Sequence, residues 1–134
     1  MRTPRRFIVV DDDPMNNMIC RHAISRFNGD AEILLFTQPE EALSRIEESY
    51  GNAVQHVETI LFLDINMPTM SGWEFLEVFK DLKGLAHPDI DIYILSSSID
   101  QSDKEKAARN EFVKGYLPKP LNLPMIHELM KTRF

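Results

Sequence analysis

Five short apolar stretches punctuate the chain: Phe7–Val10, Ala31–Phe36, Ile60–Leu63, Ile90–Leu95 and Tyr116–Pro118. Each is too short for a core helix and is bounded by turn-forming or acidic residues, so each predicts a buried strand. Ile60–Leu63 is apolar at four consecutive positions, as a parallel strand covered on both faces requires.

Between the strands the apolar spacing changes to that of a helix. Asp13 and Pro14 predict an N-cap and first helical residue, followed by Ile19, Ala23 and Phe27 on one face and a stop at Asn28 and Gly29. Met18 and Cys20 fall inside this helix and are expected in or near the core. Thr37 and Glu40 predict a capping box ahead of Ala42, Leu43 and Ile46. A third helix is predicted from about Trp73 to Gly84, with Phe75, Leu76, Phe79 and Leu82 facing inward and Trp73 packing. Ser102 and Glu105 predict a further capping box, but only Ala107, Ala108 and Phe112 would anchor that helix, making it a candidate for movement. Asn122 predicts the cap of a last helix with Ile126, Leu129 and Met130 inward, and residues 51–58 read as a loop.

Strand and helix therefore alternate five times, with no internal repeat and no low-complexity segment. Such alternation predicts right-handed βαβ units, and hence an α/β fold in three layers with a parallel sheet in the middle. The carboxyl ends of all strands then share one edge, where ligands of open α/β sheets bind. Asp11, Asp12, Asp64, Ser96 and Lys119 meet there from four separate parts of the chain. Asp64 stands alone where Leu63 gives way to a turn rich in Asn, Pro and Gly.

Length and charge narrow what this edge could serve. A chain of 134 residues, 43% hydrophobic, fits one domain with one core. A net charge of −6 argues against a nucleic-acid partner, and Arg2, Arg5 and Arg6 read as a solvated tail. Cys20 is the sole cysteine, which excludes an intramolecular disulfide and a cysteine metal site. No leader and no membrane-length apolar span is seen, so a cytoplasmic protein without a membrane partner is expected. His22, His56, His87 and His127 are scattered without metal-ligand spacing and are expected to be structural or solvated.

Crowded carboxylates repel by about 4 kcal/mol per pair at about 4 Å and an effective dielectric of about 20. A cation must offset this, and a few carboxylates with retained waters suit magnesium. Lys119 adds a point charge suited to a phosphoryl oxygen. Metal, lysine, hydroxyl and strand-end carboxylate together make a phosphoryl-transfer site in which Asp64 would be the nucleophile and Asp11 and Asp12 the metal carboxylates.

VDDDP at 10–14, LDINMPTMSG at 63–72, the serines at 96–98 and KP at 119–120 resemble, in order and over nearly the whole chain, the receiver domain of two-component response regulators. The resemblance implies a flavodoxin-like sheet in the order 2-1-3-4-5. It makes Asp64 the phosphoacceptor, with Mg2+ (or Mn2+) held directly by Asp12, Asp64 and the backbone carbonyl of Asn66 and through water by Asp11. Ser96 and Lys119 would bind the phosphoryl group, Ser96 and Tyr116 would form the switch, and Asn66 and Ser98 would tune dephosphorylation. Lys119–Pro120 resembles the family's cis peptide. Asp13 departs from the pattern as a third acid, expected as an N-cap, and the 51–58 connection looks longer than usual.

Fifteen residues follow Lys119, enough for one helix, so a stand-alone receiver without output domain is expected. Its phosphoryl donor would be a histidine kinase or histidine phosphotransfer protein. A downstream protein would dock on the face of the fourth helix, fifth strand and fifth helix, and phosphorylation could also drive homodimerisation. The chain would modify itself rather than turn over an external substrate. Two alternatives stand beside this: a receiver-like binding module that works without phosphorylation, and an aspartate-based phosphatase resembling the haloacid dehalogenase type. The second would use the Asp11 and Asp13 spacing, although Met15 stands where that motif prefers Thr or Val.

Overall fold

A computed structural model describes residues 4–50, 57–82, 89–98 and 100–131. Strands β1 (Arg6–Val10), β2 (Glu32–Phe36), β3 (Thr59–Asp64), β4 (Ile90–Ser96) and β5 (Val113–Pro118) alternate with helices α1 (Pro14–Phe27), α2 (Pro39–Tyr50), α3 (Gly72–Asp81), α4 (Gln101–Arg109) and α5 (Leu123–Lys131). All the strand pairs are parallel and the sheet order is β2-β1-β3-β4-β5, as the resemblance implies. No helix among the described residues is long and apolar enough to cross a membrane.

β3 is buried at all six positions, which is what its unbroken apolar run requires at the centre of a covered sheet. Side chains alternate along the strands into two cores. One side gathers Ile8, Val10, Leu61, Leu63, Ile92 and Ile94 with Ala42, Ile46, Phe75 and Phe79 of α2 and α3. The other gathers Phe7, Val9, Ile60, Phe62 and Leu95 with Cys20, Ile24, Ile126 and Leu129 of α1 and α5.

Several local expectations are corrected. α1 buries Asn16, Asn17, Cys20, Ala23 and Ile24, so its inward stripe is polar at its first turns. Ile19 and Met18 consequently face outward, 41% and 57% exposed, on the rim of an open groove with Leu121, Leu123 and Pro124. Arg6 is not a tail residue: it opens β1 and its Nε lies 2.7 Å from Glu32 Oε1 on β2. α2 begins at Pro39, where the fixed φ suits the first helical turn, leaving Gln38 rather than Thr37 before it, and Glu40 accepts from the Thr69 hydroxyl.

At α4 the cap is Asp100, whose carboxylate accepts from the N–H groups of Ser102 and Asp103, displacing the Ser102 and Glu105 pair. A full capping box occurs instead at Ser71 and Glu74, opening α3 at Gly72. α3 ends at Asp81; Gly84, His56, His87, Arg2 and most of the 51–58 connection lie outside the described residues. β5 starts three residues earlier than predicted because it is a half-exposed edge strand without a continuous apolar run. α4 buries Ala107 alone, Ala108 is exposed, and Phe112 just beyond meets Phe79 edge to face at 5.2 Å.

Candidate functional site

Where β1 ends, Asp11 is buried and Asp12 exposed; where β3 ends, Asp64 is buried. One carboxylate oxygen from each of the three lies within 4.8 Å of the others. Lys119 approaches from the end of β5, with Nζ 2.6 Å from Asp11 Oδ2 and 3.5 Å from Asp64 Oδ1. It is the one cation paired with these acids among the described residues. Its backbone N–H donates to Ser96 O at 2.8 Å, and the Lys119–Pro120 peptide is cis, as the resemblance implies.

Asp11 is held from three directions. Oδ1 accepts from the Asp13 N–H at 2.9 Å, while Oδ2 accepts from Asn16 Nδ2 at 2.7 Å and pairs with Lys119. Asn17 Nδ2 donates to the backbone oxygens of Asp11 and Phe36, tying α1 to the ends of β1 and β2. Neither asparagine stands out in the sequence, since an uncharged amide on a helix reads as a solvated side chain. Asp13 caps α1 by accepting from the Met15 N–H, as expected.

Asp64 has one local donor, the Asn66 N–H at 3.2 Å from Oδ1. Burial and the nearby charge of Asp11 push its carboxyl from the ordinary 3.8 up to about 6, against the pull of Asn66 and Lys119. Burial alone would lower the Lys119 ammonium, but its hydrogen bond and charge pairing with Asp11, joined by Asp64, hold it above its usual value. Cys20 beneath the site is pushed up to about 12 by burial and by Asp11, so its thiol stays protonated.

The turn after Asp64 closes on Gly72, whose N–H donates to Ile65 O at 3.0 Å. A Cβ there would stand 2.7 Å from Ile65 Cα and 2.8 Å from Asp64 O. Glycine is therefore what lets α3 start directly beside the strand end.

Ser96 is buried at the end of β4, one residue beyond Leu95, which pairs with Asp64. Its hydroxyl donates to Ser98 O at 2.7 Å and accepts from the Ser98 N–H, closing the loop into α4. The Tyr116 hydroxyl donates to the same Ser98 O at 3.1 Å. Two expected switch residues thus meet on one backbone carbonyl, while the side chains of Asn66 and Ser98 are exposed. Trp73 packs against the core under Lys106, and the ring of His127 stands against Phe27 at 5.4 Å.

A parallel α/β domain with three acids, a lysine and a buried hydroxyl at one sheet edge is the architecture of a signalling receiver. The chain belongs to the response regulator receiver domain family, whose model matches residues 7–131. It is similar to the structure of a two-component response regulator from Cytophaga hutchinsonii, with 28% identity, TM-score 0.86 and coverage of 98% of this chain and 97% of that one. It is similar to a response regulator receiver protein from Dyadobacter fermentans, with 27% identity, TM-score 0.82 and 95% of each chain covered. Hybrid signal transduction histidine kinase I of Dictyostelium discoideum is 24% identical over 97% of this chain, which spans 7% of that protein's length. The chain is thus a receiver domain of two-component signalling.

Proposed function

We propose that Asp64 accepts a phosphoryl group from a histidine kinase or histidine phosphotransfer protein and that the acyl phosphate switches the face built from α4, β5 and α5. The observation that carries this is the juxtaposition of Asp11, Asp12, Asp64 and Lys119 within one small cluster. Asp64 is a carboxylate at neutral pH, yet more basic than usual, which favours nucleophilic attack. Its oxygen forms the bond to phosphorus as the bond from phosphorus to the histidine nitrogen breaks, the electron pair leaving on the imidazole. Lys119, already 3.5 Å from Asp64 Oδ1, is placed to pair with a phosphoryl oxygen.

The donor set fits magnesium. Three carboxylates against one lysine leave excess negative charge, and every candidate ligand is a hard oxygen. Asp11, Asp12 and Asp64, with the carbonyl of Asn66, would hold the ion, Asp11 through water; manganese would suit the same oxygens. When bound, Mg2+ supplies neutralisation of charge at the phosphoryl oxygens. Asn66 and Ser98, exposed at this edge, would set how readily water reaches the acyl phosphate. The reaction is the chain's own modification, with no external substrate.

The switch runs through Ser98 O. When Ser96 Oγ turns toward the phosphoryl group it leaves this carbonyl, which loosens the Ser98 loop to which the half-buried Tyr116 is bonded and lets the two move together. α4 follows readily because it buries a single residue. A groove of about 230 Å³ between α4 and β5, lined by Lys104, Ala107, Gly115 and Tyr116, would receive the downstream protein or a second copy of the chain. Amide resonances of α4 and β5 are expected to shift on phosphorylation in the wild type and to shift far less in Ser96→Ala. Equal shifts in both would break the proposed coupling.

A further inference from the structure

We propose that Asn16 is a positioning residue for Asp11, the uncharged donor that keeps this carboxylate aimed at the metal site both before and after Lys119 turns to the phosphoryl group. The inference rests on the phosphoacceptor reading of Asp64. Lys119 is shared between two acids, 2.6 Å from Asp11 Oδ2 and 3.5 Å from Asp64 Oδ1. A phosphoryl group on Asp64 adds negative charge and competes for the same ammonium. Asp11 is 2% exposed, so bulk solvent offers little to replace a departing partner there, and the carboxylate depends on fixed donors.

Asn16 is built for this role. Its Nδ2 donates at 2.7 Å to Asp11 Oδ2, the oxygen that Lys119 also holds. The side chain is 6% exposed and comes from the first turn of α1, an element fixed by the Asp13 cap and the Asn17 bonds to two strand ends. Carrying no charge, it is not drawn toward the phosphoryl group. With the Asp13 N–H on Oδ1, it leaves Asp11 one donor on each oxygen after Lys119 departs. An asparagine in a buried helical turn has poor helix propensity and costs stability unless its amide is bonded.

Asn17 is the internal control. It is equally buried and adjacent, but among the described residues its amide reaches only the backbone oxygens of Asp11 and Phe36, and its Oδ1 has no hydrogen-bond partner there. Removing it would loosen the fold without touching the Asp11 carboxylate.

The test measures Mg2+ affinity by calorimetry, and phosphorylation rate against Mg2+ concentration by intact mass, in the wild type, Asn16→Leu and Asn17→Leu. Asn16→Leu is expected to weaken Mg2+ binding about tenfold, the lower end for losing an outer partner of a metal carboxylate. Its half-saturating Mg2+ should rise accordingly, while Asn17→Leu lowers the melting temperature with a clearly smaller loss of Mg2+ affinity. Asn16→Ser, which adds no bulk and cannot reach Asp11, takes the place of the leucine if that variant does not fold. Wild-type Mg2+ affinity in the Asn16 variants overturns the assignment while leaving Asp64 as acceptor. A wild type that takes neither Mg2+ nor phosphoryl overturns both.

Discussion

Asparagine in place of Asp64 is expected to stabilise the metal-free protein at pH 7, although it removes the residue at the centre of the site. Asp64 is buried, and its carboxyl is pushed up because burial and Asp11 disfavour its charge. A rise from 3.8 to about 6, at about 1.4 kcal/mol per unit, amounts to about 3 kcal/mol. The folded protein holds this proton more tightly than the unfolded chain does. Stability from this group is therefore fully present below pH 4, falls as pH rises from about 4 to about 6, and is absent above that.

The substituted side chain would keep the hydrogen bond from Asn66 through its amide oxygen and leave Lys119 paired with Asp11. Urea unfolding in EDTA should give Asp64→Asn the higher free energy at pH 7, with the difference shrinking toward pH 4. Magnesium should reverse the order by binding the native wild type. The same proton competes with the metal, so Mg2+ affinity should decline below about pH 6. A mutant that is less stable at pH 7, or a difference independent of pH, would show that Asp64 is not strained by its surroundings.

Gly72→Ala is expected to act in the opposite direction. The added methyl group would meet Ile65 Cα at 2.7 Å and Asp64 O at 2.8 Å, and backbone atoms cannot swing aside as a side-chain end could. The cost should be about 2–3 kcal/mol, in the usual range for overpacking. Because the strain falls on the turn that places Asp64, phosphorylation should slow as well. Gly29→Ala, where the added atom meets nothing nearer than 3.9 Å among the described residues, should change stability by no more than about 0.5 kcal/mol. Thermal unfolding of the two variants side by side checks this, and equal stabilities would contradict the tight closure.

The fold was legible because central strands advertise themselves. Ile60–Leu63 is buried on both faces and reads as an unbroken apolar run, whereas edge strand β5 is half-exposed and shows only its last part. The phase of α1 is misread from the sequence because its inward stripe begins with two polar residues, Asn16 and Asn17, so the apolar pattern drifts onto the outward Met18 and Ile19. Capping residues are ambiguous where two candidates lie close together, and at α4 the carboxylate of Asp100 wins over Ser102.

At the site, Asp11, Asp12, Asp64 and Lys119 could be found because alternation puts every strand end on one edge and charge makes them conspicuous. Asn16 could not, since an amide is unremarkable until the carboxylate it holds is seen beside it. The link between Ser96 and Tyr116 was hidden for another reason. It passes through the backbone oxygen of Ser98, which no side-chain pattern records.

The most direct test is intact mass after incubation with Mg2+ and a small-molecule phosphodonor, comparing the wild type with Asp64→Asn and Asp11→Asn. One phosphoryl group should be gained by the wild type, not gained when Mg2+ is chelated beforehand, and absent in Asp64→Asn. A gain that persists in Asp64→Asn and disappears in Asp11→Asn would move the acceptor to Asp11 and contradict the account. No gain in any of the three would favour a module that binds without phosphorylation.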